Sequence, residues 1–219
     1  MKYLFHMAWR ALGCAVTVQL ETEDDGDALL RAVPAQVEAI EARLSRFRPH
    51  SELMQFNAHA GQWMTISAVL YANLSAAKHV ARLTEGAFNP LVLPALRANG
   101  YDRTFDEVSA PETRTPIPAA DWRGIELRPK TSEARIPTGS AVDLGGSAKG
   151  WTAAQIADDL AVHGACLVDM GGDLVARGAP QDLPGWEVTI ADPFETAPLG
   201  SVWLLDASLT TSGVDFRRW

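Results

Sequence analysis

The order of apolar and polar residues at the start of the chain indicates an extended segment followed by a helix. Residues 5–21 mix β-branched and apolar side chains around Gly13, which predicts an edge-forming or bent strand. An acidic turn follows at 23–26, after which Asp27 can cap a helix. That helix is predicted to run to about Phe47, because apolar residues recur at helical spacing up to that point.

Three helices are predicted in all, and the apolar stripe of the first should face a sheet. Pro34 either kinks this first helix or starts its second half. The second helix starts near Ser67 and ends near Gly86, since glycine readily takes the left-handed conformation that closes a helix. The third spans about 151–163 and is closed by Gly164.

Short runs rich in β-branched and apolar residues lie between and after the helices. Gly171 and Gly172 separate two of these runs, as in a hairpin turn. Helices segregated from runs of hairpin strands predict an α+β fold with mixed or antiparallel sheets packed against helices. Residues 102–120, rich in Pro, Thr and acidic residues, are expected to form a surface connection. The predicted strands are 124–128, 141–144, 165–169, 174–177, 186–191 and 201–207.

Composition and charge exclude several classes of protein. A chain of 219 residues that is 47% hydrophobic can bury a substantial core, in one domain or in two closely packed lobes. The formal charge of −8 argues against general affinity for nucleic acid or anionic membranes. The chain has no surplus of Lys and Arg to replace the counterions that are bound to such polyanions. Cys14 and Cys166 are too few and too far apart for a disulfide framework or a zinc site, and both are expected to be buried.

The N-terminal segment resembles a lipoprotein signal only superficially. Leu12-Gly13-Cys14 is similar to the end of a lipobox, but His6 and Arg10 interrupt the apolar run before it. No stretch reaches the roughly 18 apolar residues that a membrane-spanning helix needs. The sequence therefore predicts a cytoplasmic protein without a transmembrane segment.

The most informative segment for chemistry is Asp143-Leu144-Gly145-Gly146-Ser147-Ala148-Lys149-Gly150, between a predicted strand and the third helix. Glycines let the backbone approach a ligand closely, and a helix N-terminus attracts anions such as phosphate. Lys149, in the first helical turn, opposes the helix dipole unless an anion is present. The alternative interpretation is a tight connection without a ligand.

Three further regions have both a functional and a purely structural interpretation. In the first, Ser51 can cap a short helical turn while Arg46 and Arg48 are exposed to solvent. The second places two prolines around apolar residues, which is typical of a rigid loop in a core. The third is a pair of turns near strand ends. These regions comprise 45–57, 86–96, and 169–173 together with 210–213.

Taken together and in this order, the four regions resemble the FAD:protein FMN transferase (ApbE-like) family. The resemblance implies a T-fold-related α+β architecture and a single domain over residues 1–219. It also implies a transferase that moves FMN from FAD to a threonine of an acceptor flavoprotein, releasing AMP and depending on Mg²⁺. Such protein flavinylation requires FAD and a protein partner, and no nucleic acid. Full-length family members often act in the periplasm or anchored to a membrane.

The resemblance implies roles for particular positions. Phe47 stands where many members have a flavin-contacting Tyr, so stacking is retained without the phenol hydrogen bond. Leu12 stands where members have Met, and Asn89 and Ala154 each replace a common Asp. Gly146 stands where a backbone carbonyl binds Mg²⁺, which requires no particular side chain. The implied FAD contacts are Leu12, Phe47, Ala87, Phe88, Asn89, Asp143 and Lys149.

One part of the family pattern is absent. Members continue into a His-x-x-Asp-Pro motif and a metal-binding segment with Asp and Thr, and the sequence has neither up to Trp219. It is therefore expected to be C-terminally incomplete relative to the family, as a fragment or a natural short form, and no catalytic residue is assigned. The five histidines are not promoted to catalytic roles. The alternatives are a noncatalytic FAD-binding module, an FAD pyrophosphatase that yields FMN and AMP, and a structural role without a ligand.

Overall fold

The structure, a computed structural model, describes residues 1–103 and 117–213. Its chain divides into two compact units. The first unit contains residues 1–38 and 149–213, and the second contains the described residues between 39 and 148. Helices occur together with antiparallel sheets in both units, so the predicted α+β fold is confirmed.

The bounds of the described elements run in chain order. The strands are β1 (Tyr3–Ala11), β2 (Cys14–Thr22), β3 (Met64–Thr65), β4 (Glu126–Arg128), β5 (Glu133–Arg135), β6 (Gly164–Met170), β7 (Asp173–Arg177), β8 (Trp186–Ile190), β9 (Gly200–Leu204) and β10 (Ser208–Thr210). The helices are α1 (Gly26–Leu44), α2 (Glu52–Ala58), α3 (Ala68–Leu83), α4 (Leu93–Ala98) and α5 (Ala148–Ala161).

A hairpin of β1 and β2 replaces the single bent strand that the pattern predicted. Leu12 and Gly13 form its two-residue turn, with φ of 53° and 68°. Positive φ at both central positions suits the right-handed twist of two paired strands. Ala11 pairs with Cys14 next to the turn. Only one of the two turn residues is glycine, so the sequence could not distinguish this turn from a bend.

The first unit is built on a five-stranded antiparallel sheet in the order β1-β2-β6-β7-β10. Residues of α1 and α5 form one buried cluster with its strands, which confirms the prediction that the apolar stripe of α1 faces a sheet. Cys14 and Cys166 are buried, as expected. The cluster includes Val16, Val18 and Leu20 of β2, Leu30, Val33 and Val37 of α1, and Ala153, Ile156 and Leu160 of α5.

The β8–β9 hairpin contributes to a second buried cluster in the first unit. Along β6, Cys166 and Val168 belong to the cluster with α1 and α5, whereas Leu167 belongs to the cluster with Trp186 and Leu204 of the hairpin. Alternate residues of a strand point to opposite faces of its sheet. Burial of both faces therefore explains why four apolar residues follow one another in β6, from Ala165 to Val168.

The second unit packs α2 and α3 with a three-stranded sheet in the order β3-β5-β4. Ser67 caps α3 by accepting a hydrogen bond from Leu70 N at 3.2 Å. Gly86 follows the helix with φ of 90° and donates to Ala81 O at 2.8 Å. Both predicted ends of this helix are thereby confirmed. The core includes Leu53, Phe56, Leu70, Leu74, Leu91, Ile125, Ile136 and Leu144.

The start of α1 differs in its cap from the prediction. The carboxylate of Asp25, rather than that of Asp27, accepts a hydrogen bond from Ala28 N at 3.0 Å. Asp27 already lies in the first helical turn, where its charge complements the helix dipole. The helix continues through Pro34 to its end.

Two predicted helix ends are corrected by the structure. The first helix ends at Leu44 rather than Phe47, and residues 46–50 form turns and a bend that include Pro49, which has no amide hydrogen to continue a helix. Gly164 begins β6 and has no positive φ, so it does not close α5 as a left-handed cap. A Cβ atom at Gly164 would collide with the carbonyl of Glu21 on the neighbouring strand.

Residues 141–144 do not form the predicted strand. The side chain of Asn57 forms hydrogen bonds with both backbone groups of Val142. Its Nδ2 donates to the carbonyl at 2.9 Å, and its Oδ1 accepts from the amide at 2.7 Å. Asp143 N donates to the carbonyl of Pro90 at 2.8 Å. These bonds satisfy the buried backbone without a neighbouring strand, so the apolar pattern here reflects burial and not sheet pairing.

Two other expectations were a surface connection at 102–120 and the lack of a transmembrane segment. Most of the predicted connection at 102–120 falls at 104–116, outside the described residues. Among the helices of the described ranges, none has the length and apolar character needed to cross a bilayer.

Candidate functional site

The carboxylate of Asp143 organises the glycine turn in the second unit. The residue is 7% exposed, and its Oδ2 lies 2.7 Å from the Nε atom of Arg46. Its Oδ1 accepts a short hydrogen bond from Gly145 N. The Asp143 carboxylate is therefore paired with a cation through one oxygen and accepts a hydrogen bond from the backbone of the glycine turn through the other.

Arg46 is buried, which corrects the expectation that it is exposed to solvent. Only 6% of its side chain is accessible, because it pairs with Asp143 and donates from Nη1 to the carbonyl of Tyr101 at 2.8 Å. Its guanidinium carbon lies 4.2 Å from the ring centroids of Phe47 and Tyr101. The Nη2 atom is also buried and has no hydrogen-bond partner among residues 1–103 and 117–213. No local pattern predicts this pair, because its members are far apart in the chain.

Phe47 combines a covered face with an exposed surface. Arg46 lies over one face of its ring, and the ring remains 40% exposed. The ring of Tyr101 is tilted 49° to it, with the centroids 6.2 Å apart. A half-exposed aromatic ring with a fixed neighbour can stack on a planar ligand.

Gly145 and Gly146 occupy positions where a side chain would meet close neighbours. A Cβ atom at Gly146 would lie 3.1 Å from a ring carbon of Phe88, and one at Gly145 would lie 2.8 Å from Asp143 Oδ1. Neither residue has a positive φ, so the constraint comes from space rather than from backbone conformation. The ring of Phe88 thus lies directly against the turn.

Ala87 and Asn89 flank this ring in different ways. Ala87 is exposed. The side chain of Asn89 accepts from Leu91 N at 2.9 Å and donates to the carbonyl of Ala120 at 2.9 Å. The side-chain amide of Asn89 caps the short 3-10 turn that follows, so both of its hydrogen bonds are made with the protein backbone. A ligand contact at this position would most simply use the main chain.

Lys149, in the first unit, has an anionic partner within the protein. Its Nζ atom lies 3.7 Å from Oδ2 of Asp173, whose Oδ1 accepts from the hydroxyl of Thr210 at 3.3 Å. The side chain of Lys149 is 25% exposed and that of Asp173 is 22% exposed. The charge that opposes the helix dipole is therefore balanced by a carboxylate and still open to solvent.

The Gly171-Gly172 turn joins β6 to β7, which confirms the predicted hairpin. The two residues have φ of 68° and 92°, and Gly172 N donates to Asp169 Oδ1 at 2.8 Å. A Cβ atom at Gly171 would lie 2.6 Å from that of Cys14 and 3.8 Å from Lys149 Nζ. Two residues of the first unit therefore lie close to this turn: Cys14, at the start of β2, and Lys149, in the first turn of α5. Leu12, predicted to contact FAD, lies in the hairpin turn two residues before Cys14.

Histidine, cysteine and acidic side chains of the described ranges are the candidates for metal binding and proton transfer. No group of three His, Cys, Asp or Glu residues suited to a metal ion occurs there. His163 contacts the Asp24 carboxylate at 2.9 Å, and His59 contacts the carbonyl of Gln55 at 2.8 Å. Burial raises the pKa of Cys166 to about 11, which keeps its thiol protonated and unreactive near neutral pH.

Comparison with known proteins finds curated relatives that carry the same name. A protein from Treponema pallidum named FAD:protein FMN transferase is 32% identical over 209 residues, covering 85% of this chain and 57% of that protein. One of the same name from Vibrio cholerae is 27% identical, covering 89% of this chain and 60% of its own length. The chain thus spans less than two thirds of the length of each of these two relatives.

Solved structures show the same fold. The ApbE protein from Thermotoga maritima superposes with a TM-score of 0.84 at 22% identity, covering 99% of this chain and 72% of that one. The apo flavinyl transferase ApbE from Pseudomonas stutzeri gives a TM-score of 0.80 at 21% identity, covering 97% and 69%. The ApbE family profile matches residues 12–219. With a profile match over most of its length, this chain belongs to the ApbE family.

Proposed function

We propose that this chain supplies the flavin-nucleotide-binding part of an FAD:protein FMN transferase. The observation that carries the proposal is the turn at Asp143–Gly146, where a buried carboxylate holds a backbone amide and two positions leave no space for a side chain. Glycine at both positions leaves the backbone of the turn without side chains of its own that would shield it from a ligand. The curated relatives bearing that name support the choice of FAD as the ligand.

In the proposed reaction, the hydroxyl oxygen of an acceptor threonine attacks the phosphorus atom of the FMN half of FAD. A new P–O bond forms, the P–O bond to AMP breaks, and AMP leaves with the electron pair. The threonine proton passes to a base that the described residues do not assign. The acceptor is a flavoprotein that carries this threonine.

The chain's own residues would bind and orient the substrate. Phe47 has the exposed ring surface needed to stack on the flavin, and Phe88 lies against the glycine turn. Lys149 would place positive charge near the pyrophosphate, exchanging its contact with Asp173 for one with a phosphate oxygen. Positioning and charge stabilisation are the contributions expected of a protein in phosphoryl transfer.

Magnesium is proposed as the cation of this reaction, with the carbonyl of Gly146 as one ligand. The described residues alone do not complete a metal site, because they contain no group of three metal-binding side chains. Mg²⁺ commonly keeps several waters and binds substrate phosphates, so a single carbonyl ligand is compatible with its chemistry. When bound, the ion would neutralise charge on the phosphoryl oxygens.

The proposed activity is tested by incubating the chain with FAD, Mg²⁺ and an acceptor flavoprotein, with EDTA replacing Mg²⁺ in a parallel sample. We expect AMP release together with covalent flavin on the acceptor, and neither product with EDTA. Bound FAD without AMP would replace the proposal by a noncatalytic binding module. Free FMN and AMP without an acceptor would replace it by an FAD pyrophosphatase.

A further inference from the structure

We propose that Arg46 is a positioning residue that fixes both the glycine turn and the exposed aromatic ring of the second unit. It touches Asp143 on one side and the ring of Phe47 on the other. The consequence for a flavin ligand rests on the proposed function, whereas the consequence for the turn does not. In this role Arg46 acts through its neighbours and needs no contact of its own with a ligand.

The planar fork of Arg46 is what allows one side chain to hold two partners. Nε contacts Oδ2 of Asp143 at 2.7 Å, while Nη1 donates to the carbonyl of Tyr101 at 2.8 Å. These nitrogens are held in fixed directions within one plane. Lysine offers a single ammonium group on a flexible stem and cannot reproduce both directions.

Contact with Arg46 orients the carboxylate that shapes the turn. With Oδ2 of Asp143 held by Arg46, Oδ1 is directed at the amide of Gly145. Both bonds are charge-assisted, which makes them stronger and more directional than neutral hydrogen bonds. Loss of the guanidinium would free the carboxylate to rotate and would release the Gly145 amide.

The same guanidinium sets the position of the aromatic ring. Its carbon lies 4.2 Å from the centroids of both Phe47 and Tyr101, over a face of each ring. Cation–π attraction is strongest when the cation is shielded from water, and only 6% of the Arg46 side chain is accessible. One residue therefore couples the ring that faces solvent to the turn at Gly145.

Stability alone gives a poor reason for this arrangement. Within the part of the chain that the structure describes, the buried Nη2 atom has no hydrogen-bond partner, and an unsatisfied buried donor is unfavourable. A buried ion pair often stabilises a fold no better than well-packed apolar side chains of similar volume. An orienting role accounts for the retention of a buried charge at this position.

An independent clamp should keep the segment folded when Arg46 is changed. Asn57 binds both backbone groups of Val142, and Pro90 accepts from the amide of Asp143. These bonds do not involve Arg46. A substitution of Arg46 should therefore loosen the carboxylate and the turn locally, without unfolding the unit.

The test compares Arg46→Lys with Arg48→Lys as the matched control in the same segment, where Arg48 contacts Glu41 at 3.4 Å. The first readout is hydrogen exchange of the Gly145 amide by NMR, which needs no ligand. We expect Arg46→Lys to exchange about tenfold faster than wild type, because the carboxylate acceptor is no longer fixed, while Arg48→Lys stays unchanged. Unchanged Gly145 exchange in Arg46→Lys would overturn the proposal.

The second readout is FAD affinity in a double-mutant cycle with Asp143→Asn. We expect Arg46→Lys to weaken FAD binding about tenfold in the wild-type background and to have no further effect in Asp143→Asn. Fully additive effects would show that Arg46 does not act through Asp143 and would contradict the proposal. If the wild-type chain binds no FAD, the proposed function fails, while the Gly145 exchange still decides the role of Arg46.

Discussion

At the scale of single residues, the ring of Phe88 occupies the space into which a side chain at Gly146 would project. The 3.1 Å separation between that ring and a Cβ atom at Gly146 is shorter than ordinary van der Waals contact. Adding one methyl group would push the ring away from the turn. By contrast, a Cβ atom at Gly150, four residues further on in α5, would meet nothing within 4 Å. The two glycines therefore differ in what they do for the site.

Gly146→Ala is expected to weaken FAD binding about tenfold, since overpacking of this size costs about 1–3 kcal/mol or displaces Phe88. The measurement is FAD affinity by fluorescence titration, with the thermal midpoint recorded alongside. Gly150→Ala is the matched control and should raise the midpoint slightly, because alanine favours a helix over glycine. Equal FAD affinity for Gly146→Ala and Gly150→Ala would contradict the importance of the Phe88 contact.

At the scale of elements, α2 fixes the irregular segment that leads into the turn. Asn57, near the end of α2, satisfies the amide and the carbonyl of Val142, a residue with 0% exposure. Buried backbone groups that lose their partners carry the full cost of desolvation. The segment before Asp143 therefore depends on a side chain from a helix that is distant in the chain.

Asn57→Ala is expected to destabilise the second unit by about 2–5 kcal/mol, because it leaves two buried backbone groups of Val142 without partners. Chemical denaturation followed by tryptophan fluorescence measures the change. Gln55→Ala is the control on the same helix, since Gln55 donates to the carbonyl of His50 at an exposed site. A destabilisation of Asn57→Ala no larger than that of Gln55→Ala would refute the clamp.

At the scale of the whole molecule, local patterns predicted what depends on local contacts. The helix start near Ser67 and the closing glycine at Gly86 follow from residues within a helical turn, and both were predicted. The non-strand conformation at 141–144 depends on Asn57, 85 residues from Val142, and was missed. Burial of Arg46 was missed for the same reason, because its partner Asp143 is remote in the chain. Pairings between remote polar groups leave no periodic signal in a sequence.

The predicted site residues fall in both units, and family membership gives them a shared interpretation. Phe47, Phe88, Asp143 and Gly146 belong to the second unit, where the ring of Phe88 lies against Gly146 and Arg46 joins Phe47 to Asp143. Leu12 and Lys149 belong to the first unit. The assignment of these residues to FAD follows from the ApbE resemblance.

The most direct test is the FAD affinity of the wild-type chain compared with Asp143→Asn, measured by equilibrium titration of flavin fluorescence. Asp182→Asn, a change at an exposed position, is the control. Saturable FAD binding by the wild type and by Asp182→Asn is predicted, with binding at least about tenfold weaker in Asp143→Asn because two charge-assisted bonds are lost. Equal FAD affinity in wild type and Asp143→Asn, or no FAD binding by the wild type, would contradict a flavin site at this turn.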